Sequence, residues 1–418
     1  ADQLLRQADQ AMYQAKLAGK NRYHLFDADQ DRNVRGLNET LQQIRSGIGN
    51  GEFVMHFQPK VNMRSGAVIG AEALIRWQHP EKGLLPPLEF LPLIEDHPLA
   101  VELGEWVIDT ALKHREAWLK SGLELPVSVN IGARQLQHAH FVERLKATLA
   151  QRPSFKPGDL EMEVLETSAL KDLQRVARII EACREIGVEF SLDDFGTGYS
   201  SLTYLKRLSV KRLKIDQSFV RHMLDDPDDL AILEGILGLA TAFRRKVIAE
   251  GVETVEHGEM LLQLGCDTAQ GYGIARPMPA GQIPAWAAAW RPFEAWKGVP
   301  IIRREDLPLL YAGTEQRAWL ATVEAYLAGE REAPPLLDLP SNSACAWLRG
   351  EGHQHYCEQP AFQSVERQYR KMHALVQQLC GLQAAGKANE VGNRLPEFRA
   401  ARDALLEQMK QLSRSPLH

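Results

Sequence analysis

Strand and helix patterns alternate along residues 51–295, and this alternation restricts the fold more than any other feature. Eight segments rich in β-branched and aromatic residues are predicted as strands, and amphipathic helices lie between most of them. The predicted strands are EFVMHFQPKV, AVIGAEALIRW, PVSVNI, LEMEVLE, VEFSLDD, KRLKID, KVIAEG and DTAQGY. Repeated strand–helix units indicate an α/β class with a largely parallel sheet, and eight strands favour a closed (β/α)8, TIM-like barrel.

The segments on either side of this region have different patterns. The first two predicted strands flank a short polar turn, NMRSGA, which predicts a hairpin and therefore one antiparallel strand in the barrel. Strand signals stop near residue 300, and the helical periodicity of residues 308–330 and 360–413 predicts a small C-terminal bundle. We therefore expect four parts: residues 1–27, a linker helix at 28–50, a barrel at 51–295 and a helical bundle at 300–418.

Composition excludes several classes of protein. The chain has 418 residues and a net charge of -5, which argues against nucleic-acid polymers as partners because phosphate backbones favour basic surfaces. No apolar run reaches the roughly 18 residues of a membrane helix, so we expect no membrane contact from this segment. Five scattered cysteines do not resemble a disulfide framework and favour a cytoplasmic location, with any membrane anchor lying upstream of residue 1.

Polar and acidic residues collect where the predicted strands end. The carboxyl ends of parallel barrel strands meet on one face, which is where active sites form. A single acid in this position usually caps the next helix, but capping explains six such strands poorly. Glu72 and Arg76 are four residues apart on one strand and therefore share a face. The residues at or near these ends are Glu72, Asn130, Glu163, Glu166, Asp193, Asp194, Lys214, Asp216, Glu250 and Gln270.

Converging carboxylates repel one another unless cations neutralise them. Oxygen donors without histidine or thiolate suit hard cations, so the sequence predicts Mg²⁺ or Mn²⁺ rather than zinc. The adjacent pair Asp193 and Asp194 can bind two neighbouring ions. Two ions about 3.5–4 Å apart can activate water for displacement at phosphorus.

Seven stretches resemble the EAL-domain phosphodiesterases over residues 51 to about 285. They are EALIRW, SVN, EVLETS, DDFGTGYSSL, LKIDQSF, AEGVET and QGYGIARPMP. The resemblance implies metal-dependent hydrolysis of cyclic di-GMP to linear pGpG by water held between two ions. It implies that Glu72, Asn130, Glu163 and Asp193 bind the first metal. Asp193, Asp194 and Glu250 would bind the second.

The resemblance also implies roles for the remaining polar residues. Lys214 would contact the water or the phosphate, Glu250 would act in catalysis, and Arg76 would hold a phosphate. Substrate contacts are expected at Gln58, Asp194, Asp216 and Gln270. Glu166 would steady the loop DFGTGYSSL, which the family ties to dimerisation, so we expect a homodimer in which this loop controls Asp194.

Both ends of the chain resemble other families. ADQLLRQADQAMYQAKLAGKNRYHLFD is similar to the last helix and strand of a GGDEF diguanylate cyclase domain, without its GTP-binding part. The C-terminal helices resemble a chemoreceptor zinc-binding (CZB) domain, in which Cys345 and His373 match two ligand positions. Gln316 and Tyr369 stand where histidines are expected, so we expect a degenerate zinc site.

Two alternatives to hydrolysis remain open at this point. A receptor could bind cyclic di-GMP without cutting it and signal through partners, although such receptors typically lose several metal positions. Another metallohydrolase on the same barrel is the second alternative, because a fold does not determine a function.

Overall fold

A computed structural model describes residues 12, 28–167, 172–198, 202–335 and 347–414. Its strands are β1 (Phe53–Asn62), β2 (Val68–His79), β3 (Gly83–Leu85), β4 (Val127–Asn130), β5 (Leu160–Leu165), β6 (Glu189–Phe195), β7 (Arg212–Ile215), β8 (Lys246–Ala249), β9 (Thr268–Ala269) and β10 (Met278–Pro279). All eight predicted strands are present, within a few residues of their expected bounds. The predicted helix and strand in residues 1–27 lie outside the described residues, apart from Met12.

Helices fill the spaces between the strands and form the C-terminal region. They are α1 (Ala28–Asn50), α2 (Leu91–Ile94), α3 (Leu99–Lys120), α4 (Ala133–Leu136), α5 (Phe141–Ala150), α6 (Leu173–Glu185), α7 (Leu202–Arg207), α8 (Gln217–His222), α9 (Pro227–Ala242), α10 (Val255–Gln263), α11 (Ile283–Ala289), α12 (Leu307–Leu327), α13 (Glu351–Tyr356), α14 (Pro360–Ala384) and α15 (Ala388–Ser413). The predicted helical segment 360–413 contains two of the described helices, α14 and α15. The chain turns between them at Gly386, where φ is +73°.

Eight strands close into a barrel in the order β1, β2, β4, β5, β6, β7, β8, β9 and back to β1. Strand β1 is antiparallel to both of its neighbours, whereas the other barrel strands run parallel to one another. This confirms the predicted α/β barrel with one antiparallel strand. The carboxyl ends of the parallel strands therefore meet at one end, which we call the barrel mouth.

The hairpin between β1 and β2 is formed by the predicted turn. Asn62 Oδ1 accepts a hydrogen bond of 2.8 Å from the Ser65 amide, and the Gly66 amide donates to the Asn62 carbonyl at 2.9 Å. Gly66 has φ +74°, a backbone conformation that favours glycine. Two short strands, β3 and β10, were not predicted, because segments of three and two residues beside prolines carry no periodic signal.

Apolar side chains form two buried clusters. The larger cluster lies between the barrel strands and the surrounding helices and includes Phe57, Phe190 and Trp296. The smaller cluster joins α12, α14 and α15 and includes Phe362, Leu379 and Phe398. The predicted helical C-terminal region is therefore present, with an apolar core of its own.

The described helices and cysteines bear on the membrane and the disulfide predictions. Within the described part of the chain, every helix is too short or too polar to cross a lipid bilayer. Four cysteines carry free thiols, at Cys183, Cys266, Cys357 and Cys380. The fifth cysteine, Cys345, lies outside the described residues.

Candidate functional site

Strand ends bring the predicted polar residues together at the barrel mouth. Asn130 on β4 is in register with Glu163 on β5, and Leu165 on β5 is in register with Asp193 on β6. Because the side chains of a strand alternate between its two faces, these polar residues point inward while their apolar neighbours pack against the helices. Glu72, Glu163, Asp193 and Lys214 are each at most 6% exposed.

Lys214 lies at the centre of the cluster. Its Nζ is 2.6 Å from Glu250 Oε1 and 3.0 Å from Asp193 Oδ1. It also forms an ion pair with Glu163 Oε2 and lies 3.5 Å from Glu72 Oε2. Burial alone would lower the pKa of Lys214, but the surrounding carboxylates outweigh it and raise this pKa well above its usual value. Lys214 is therefore charged and bound to four acids.

Three carboxylates at the mouth are placed to hold a cation. One oxygen each from Asp193, Asp194 and Glu250 lies within 4.8 Å of the other two. Burial and the charge of Asp193 raise the pKa of Asp194 to about 6. Burial raises the pKa of Glu250 to about 8, despite the opposing effect of Lys214. The donors are all oxygen atoms, which fits a hard divalent cation better than a soft one.

Glu72 belongs to a hydrogen-bonded chain of amides. Asn130 Nδ2 donates to Glu72 Oε1 at 2.7 Å, and Gln270 Nε2 donates to Glu72 Oε2 at 2.7 Å. Gln270 Nε2 also lies 2.9 Å from Gln58 Oε1, and Gln58 Nε2 donates to the Ala275 carbonyl at 2.9 Å. The two predicted substrate-contact glutamines are therefore neighbours and orient Glu72.

Arg76 and Asp216 lie near the cluster but make local contacts. Arg76 is half-buried, and its Nη1 donates to the Ile75 carbonyl at 2.8 Å. Asp216 caps helix α8 by accepting a hydrogen bond of 2.9 Å from the Ser218 amide. The sequence predicted substrate contacts for both residues. Asp216 also helps to raise the pKa of Asp194.

Glu166 supports the turn that follows β6. Its Oε2 accepts a hydrogen bond of 3.2 Å from the amide of Gly196, where φ is +105°. A Cβ at position 198 would lie 2.9 Å from Glu166 Oε1, so a larger residue there would displace the end of the Glu166 side chain. The turn begins at Asp194, which has φ +53°. Glu166 thus contacts the segment that carries one of the three clustered carboxylates.

Lys60 is a charged residue of the interior that the sequence analysis missed. It is 3% exposed and lies on β1, where its Nζ contacts Glu163 Oε1 and lies 2.7 Å from Ser128 Oγ. Its position two residues after Gln58 places both side chains on the inner face of the strand. That spacing was visible in the sequence and could have identified it.

Two of the C-terminal residues at expected zinc-ligand positions, Tyr369 and His373, lie close together. The His373 ring lies 4.6 Å from the Trp319 ring and 4.4 Å from the Tyr369 ring, measured between centroids. Gln316 is fully buried in the same bundle. Cys345, the other expected ligand, is not among the described residues.

Comparisons with known proteins identify the family of the barrel region. A family model described as EAL domain matches residues 41–277. A protein of Pseudomonas aeruginosa called "Bifunctional diguanylate cyclase/cyclic di-GMP phosphodiesterase MucR" is 42% identical over 287 residues, which cover 68% of this chain and 42% of that protein. "Cyclic di-GMP phosphodiesterase PdeR" of Escherichia coli is 36% identical over 283 residues, covering 68% of this chain and 42% of PdeR.

A solved structure is also similar to this chain. "PaMucR Phosphodiesterase, c-di-GMP complex" is 43% identical with a TM-score of 0.56, and the match covers 59% of this chain and 99% of that one. The chain spans about two fifths of the length of the curated relatives named above.

Proposed function

This chain belongs to the EAL domain family, and from that premise we propose that it hydrolyses cyclic di-GMP to linear pGpG at the barrel mouth. The observation that carries the proposal is the cluster of Asp193, Asp194 and Glu250 beside the buried ammonium of Lys214. Carboxylates that can hold cations, beside an ammonium, suit a phosphodiester, because its reacting centre gains negative charge during displacement. The names of MucR and PdeR, and the ligand bound in the PaMucR structure, support this substrate.

We propose that this mouth holds two divalent cations, Mg²⁺ or Mn²⁺, because its donors are oxygen atoms. Glu72, Asn130, Glu163 and Asp193 would hold the first, and Asp193, Asp194 and Glu250 would hold the second. When bound, such a pair supplies an activated water and neutralises charge on the phosphodiester. The oxygen donors of Asp193, Asp194 and Glu250 within 4.8 Å of one another support the second of these positions.

The side chains of the protein itself bind and orient the substrate. Lys214 is held in its charged form by the acids around it, so it can stabilise the negative charge that develops on the phosphate. Arg76 is proposed to hold a phosphate from the same face of β2 as Glu72. Gln58 and Gln270 are proposed to contact the substrate from the Glu72 side of the mouth, and Asp194 and Asp216 from the opposite side.

Incubation of the full chain with cyclic di-GMP and Mn²⁺ or Mg²⁺ tests the proposal. We expect linear pGpG, measured by chromatography, and no product after chelation or in Glu250→Gln. Glu294→Gln, which changes an exposed surface glutamate, is the matched control and is expected to retain activity. Tight binding of cyclic di-GMP without product would instead identify a receptor that signals through partners.

We propose a GGDEF-derived tail at 1–27, a linker at 28–50, a barrel at 51–295 and a CZB-like bundle at 300–418. The separate apolar cluster of the C-terminal helices supports the last boundary. A homodimer and a cytoplasmic location are proposed on the sequence alone, and light scattering of the purified chain tests the first.

A further inference from the structure

Lys60 extends from the antiparallel strand into the interior of the barrel. In the pairing of β1 with β2, Gln58 lies opposite Glu72 and Lys60 lies opposite Gly70. Strand β2 runs toward the mouth, so Lys60 is deeper in the barrel than Gln58. The Lys60 ammonium therefore approaches the carboxylates from the interior side, away from the mouth.

The ammonium of Lys60 joins three strands. It forms an ion pair with Glu163 on β5 and a hydrogen bond of 2.7 Å with Ser128 on β4. Glu161, also on β5, lies 4.0 Å away. These three partners surround the Lys60 ammonium from two strands and leave it little freedom to move.

Glu163 is held at both of its oxygen atoms. Lys60 contacts Oε1, and Lys214 contacts Oε2 from the side of the cluster. The carboxylate is 1% exposed, so water cannot replace either partner. Without Lys60, Oε1 would lose its charged partner in the interior while Oε2 kept Lys214, so the carboxylate would be held at one oxygen only and could rotate.

We propose that Lys60 is a positioning residue that holds Oε1 of Glu163 from the interior side, so that Oε2 faces the proposed first-metal position. This inference rests on the proposed function, which assigns Glu163 to the first metal. Lys60 acts through Glu163 and does not contact the substrate. Outer partners of metal-binding residues typically contribute about 10–100-fold to metal affinity or activity.

A different role predicts the opposite result. If Lys60 only balanced charge, its removal would leave the cluster more negative and Mn²⁺ would bind more tightly. If it positions Glu163, its removal weakens Mn²⁺ binding despite the added negative charge. Mn²⁺ affinity therefore separates the two roles.

The test compares the full wild-type chain with Lys60→Met and Lys60→Arg. For Lys60→Met we expect Mn²⁺ affinity, measured by calorimetry with Mn²⁺ alone, to fall about tenfold or more. We expect kcat to fall similarly while KM for cyclic di-GMP changes little. Lys60→Arg keeps the charge and is expected to restore most of the Mn²⁺ affinity.

The matched control is Arg115→Met, which removes another buried cation. Arg115 is 1% exposed and pairs with Asp159 at 2.6 Å, outside the cluster. We expect it to lower stability without changing Mn²⁺ affinity. If Lys60→Met does not fold, Ser128→Ala, which removes only the hydroxyl partner of Lys60, is expected to weaken Mn²⁺ binding to a smaller extent.

Unchanged or tighter Mn²⁺ binding by the folded Lys60→Met variant would overturn the inference, as would unchanged binding by Ser128→Ala in its place. A wild-type chain that binds Mn²⁺ without hydrolysing cyclic di-GMP would remove the proposed function, yet the comparison of Mn²⁺ affinities would still test the role of Lys60. The two failures are thus distinguishable.

Discussion

Glu163 and Asp194 are both carboxyl residues of the barrel mouth, but their pKa values shift in opposite directions. Burial disfavours the charged form of each. At Glu163, contacts with Lys214 and Lys60 overcome burial and lower the pKa. At Asp194, burial and the neighbouring charge of Asp193 raise the pKa to about 6. Two ammonium groups therefore overcome burial at Glu163, whereas at Asp194 burial and a like charge act in the same direction.

His373 shows the effect of burial without a charged partner. It is 5% exposed, lies between Trp319 and Tyr369, and makes no hydrogen bond through either ring nitrogen within the described residues. Burial lowers its pKa to about 4. An unfolded histidine has a pKa near 6.5, so between about pH 6.5 and 4 the unfolded chain takes up a proton that the folded chain does not.

This difference predicts a pH-dependent stability of the C-terminal bundle. As pH falls from about 6.5 toward 4, the free energy of unfolding should decrease by up to about 1.4 kcal/mol per pH unit because of His373. Denaturant unfolding followed by tryptophan fluorescence measures this slope. His373→Phe should lose this contribution, whereas His140→Asn, at an exposed histidine, should keep it. Equal slopes for His373→Phe and the wild type would contradict the assignment.

At the scale of elements, the turn after β6 has a constrained backbone and carries Asp194, one of the three clustered carboxylates. Asp194 and Gly196 both have positive φ, and Gly198 approaches the carboxylate of Glu166. Glu166 follows β5, the neighbouring parallel strand, so the register of β5 and β6 brings it to this turn. We therefore expect the position of Asp194 to depend on the Glu166 side chain, which follows the neighbouring strand.

Replacement of Glu166 should affect turnover more than stability. Glu166→Ala removes the acceptor of the Gly196 amide, for which we expect a loss of about 1 kcal/mol in the free energy of unfolding. Because the turn carries Asp194, kcat should fall about tenfold or more. Glu166→Gln keeps an acceptor oxygen of the same reach and should retain more activity. Unchanged turnover in Glu166→Ala would refute this dependence.

At the scale of the whole molecule, the C-terminal helices are attached to the barrel through helix α10. Glu259 of this helix is 6% exposed and pairs with Lys410 at 2.6 Å and with Arg414. Gln263 Nε2 donates to Ser413 Oγ at 2.9 Å. Helix α10 begins five residues after Glu250, so the bundle contacts an element that continues directly from the candidate site.

Substitutions on the two sides of this contact should change the free energy of unfolding by unequal amounts. Removing both cations, in Lys410→Met with Arg414→Met, leaves a buried carboxylate unpaired, and we expect a loss of about 1–3 kcal/mol in the free energy of unfolding. Glu259→Gln leaves no buried charge and should cost less. Amide exchange of α10 and α15 should increase only in the double variant.

The control for this comparison is Arg370→Met, which breaks an exposed pair with Glu366 on α14. Such a surface pair contributes about 0–1 kcal/mol. A double variant as stable as this control would show that Glu259 is not desolvated at the interface.

The sequence by itself determined the eight barrel strands, the antiparallel β1 and the face on which the acids meet. These features follow from local periodicity, a hairpin turn and the rule that parallel strands end together. The tertiary structure alone decided which charges are paired. Lys60 and Glu163 are 103 residues apart in the chain, and only barrel closure brings their side chains into contact. Strand register and closure set such partners, and neither leaves a periodic signal in the residues themselves.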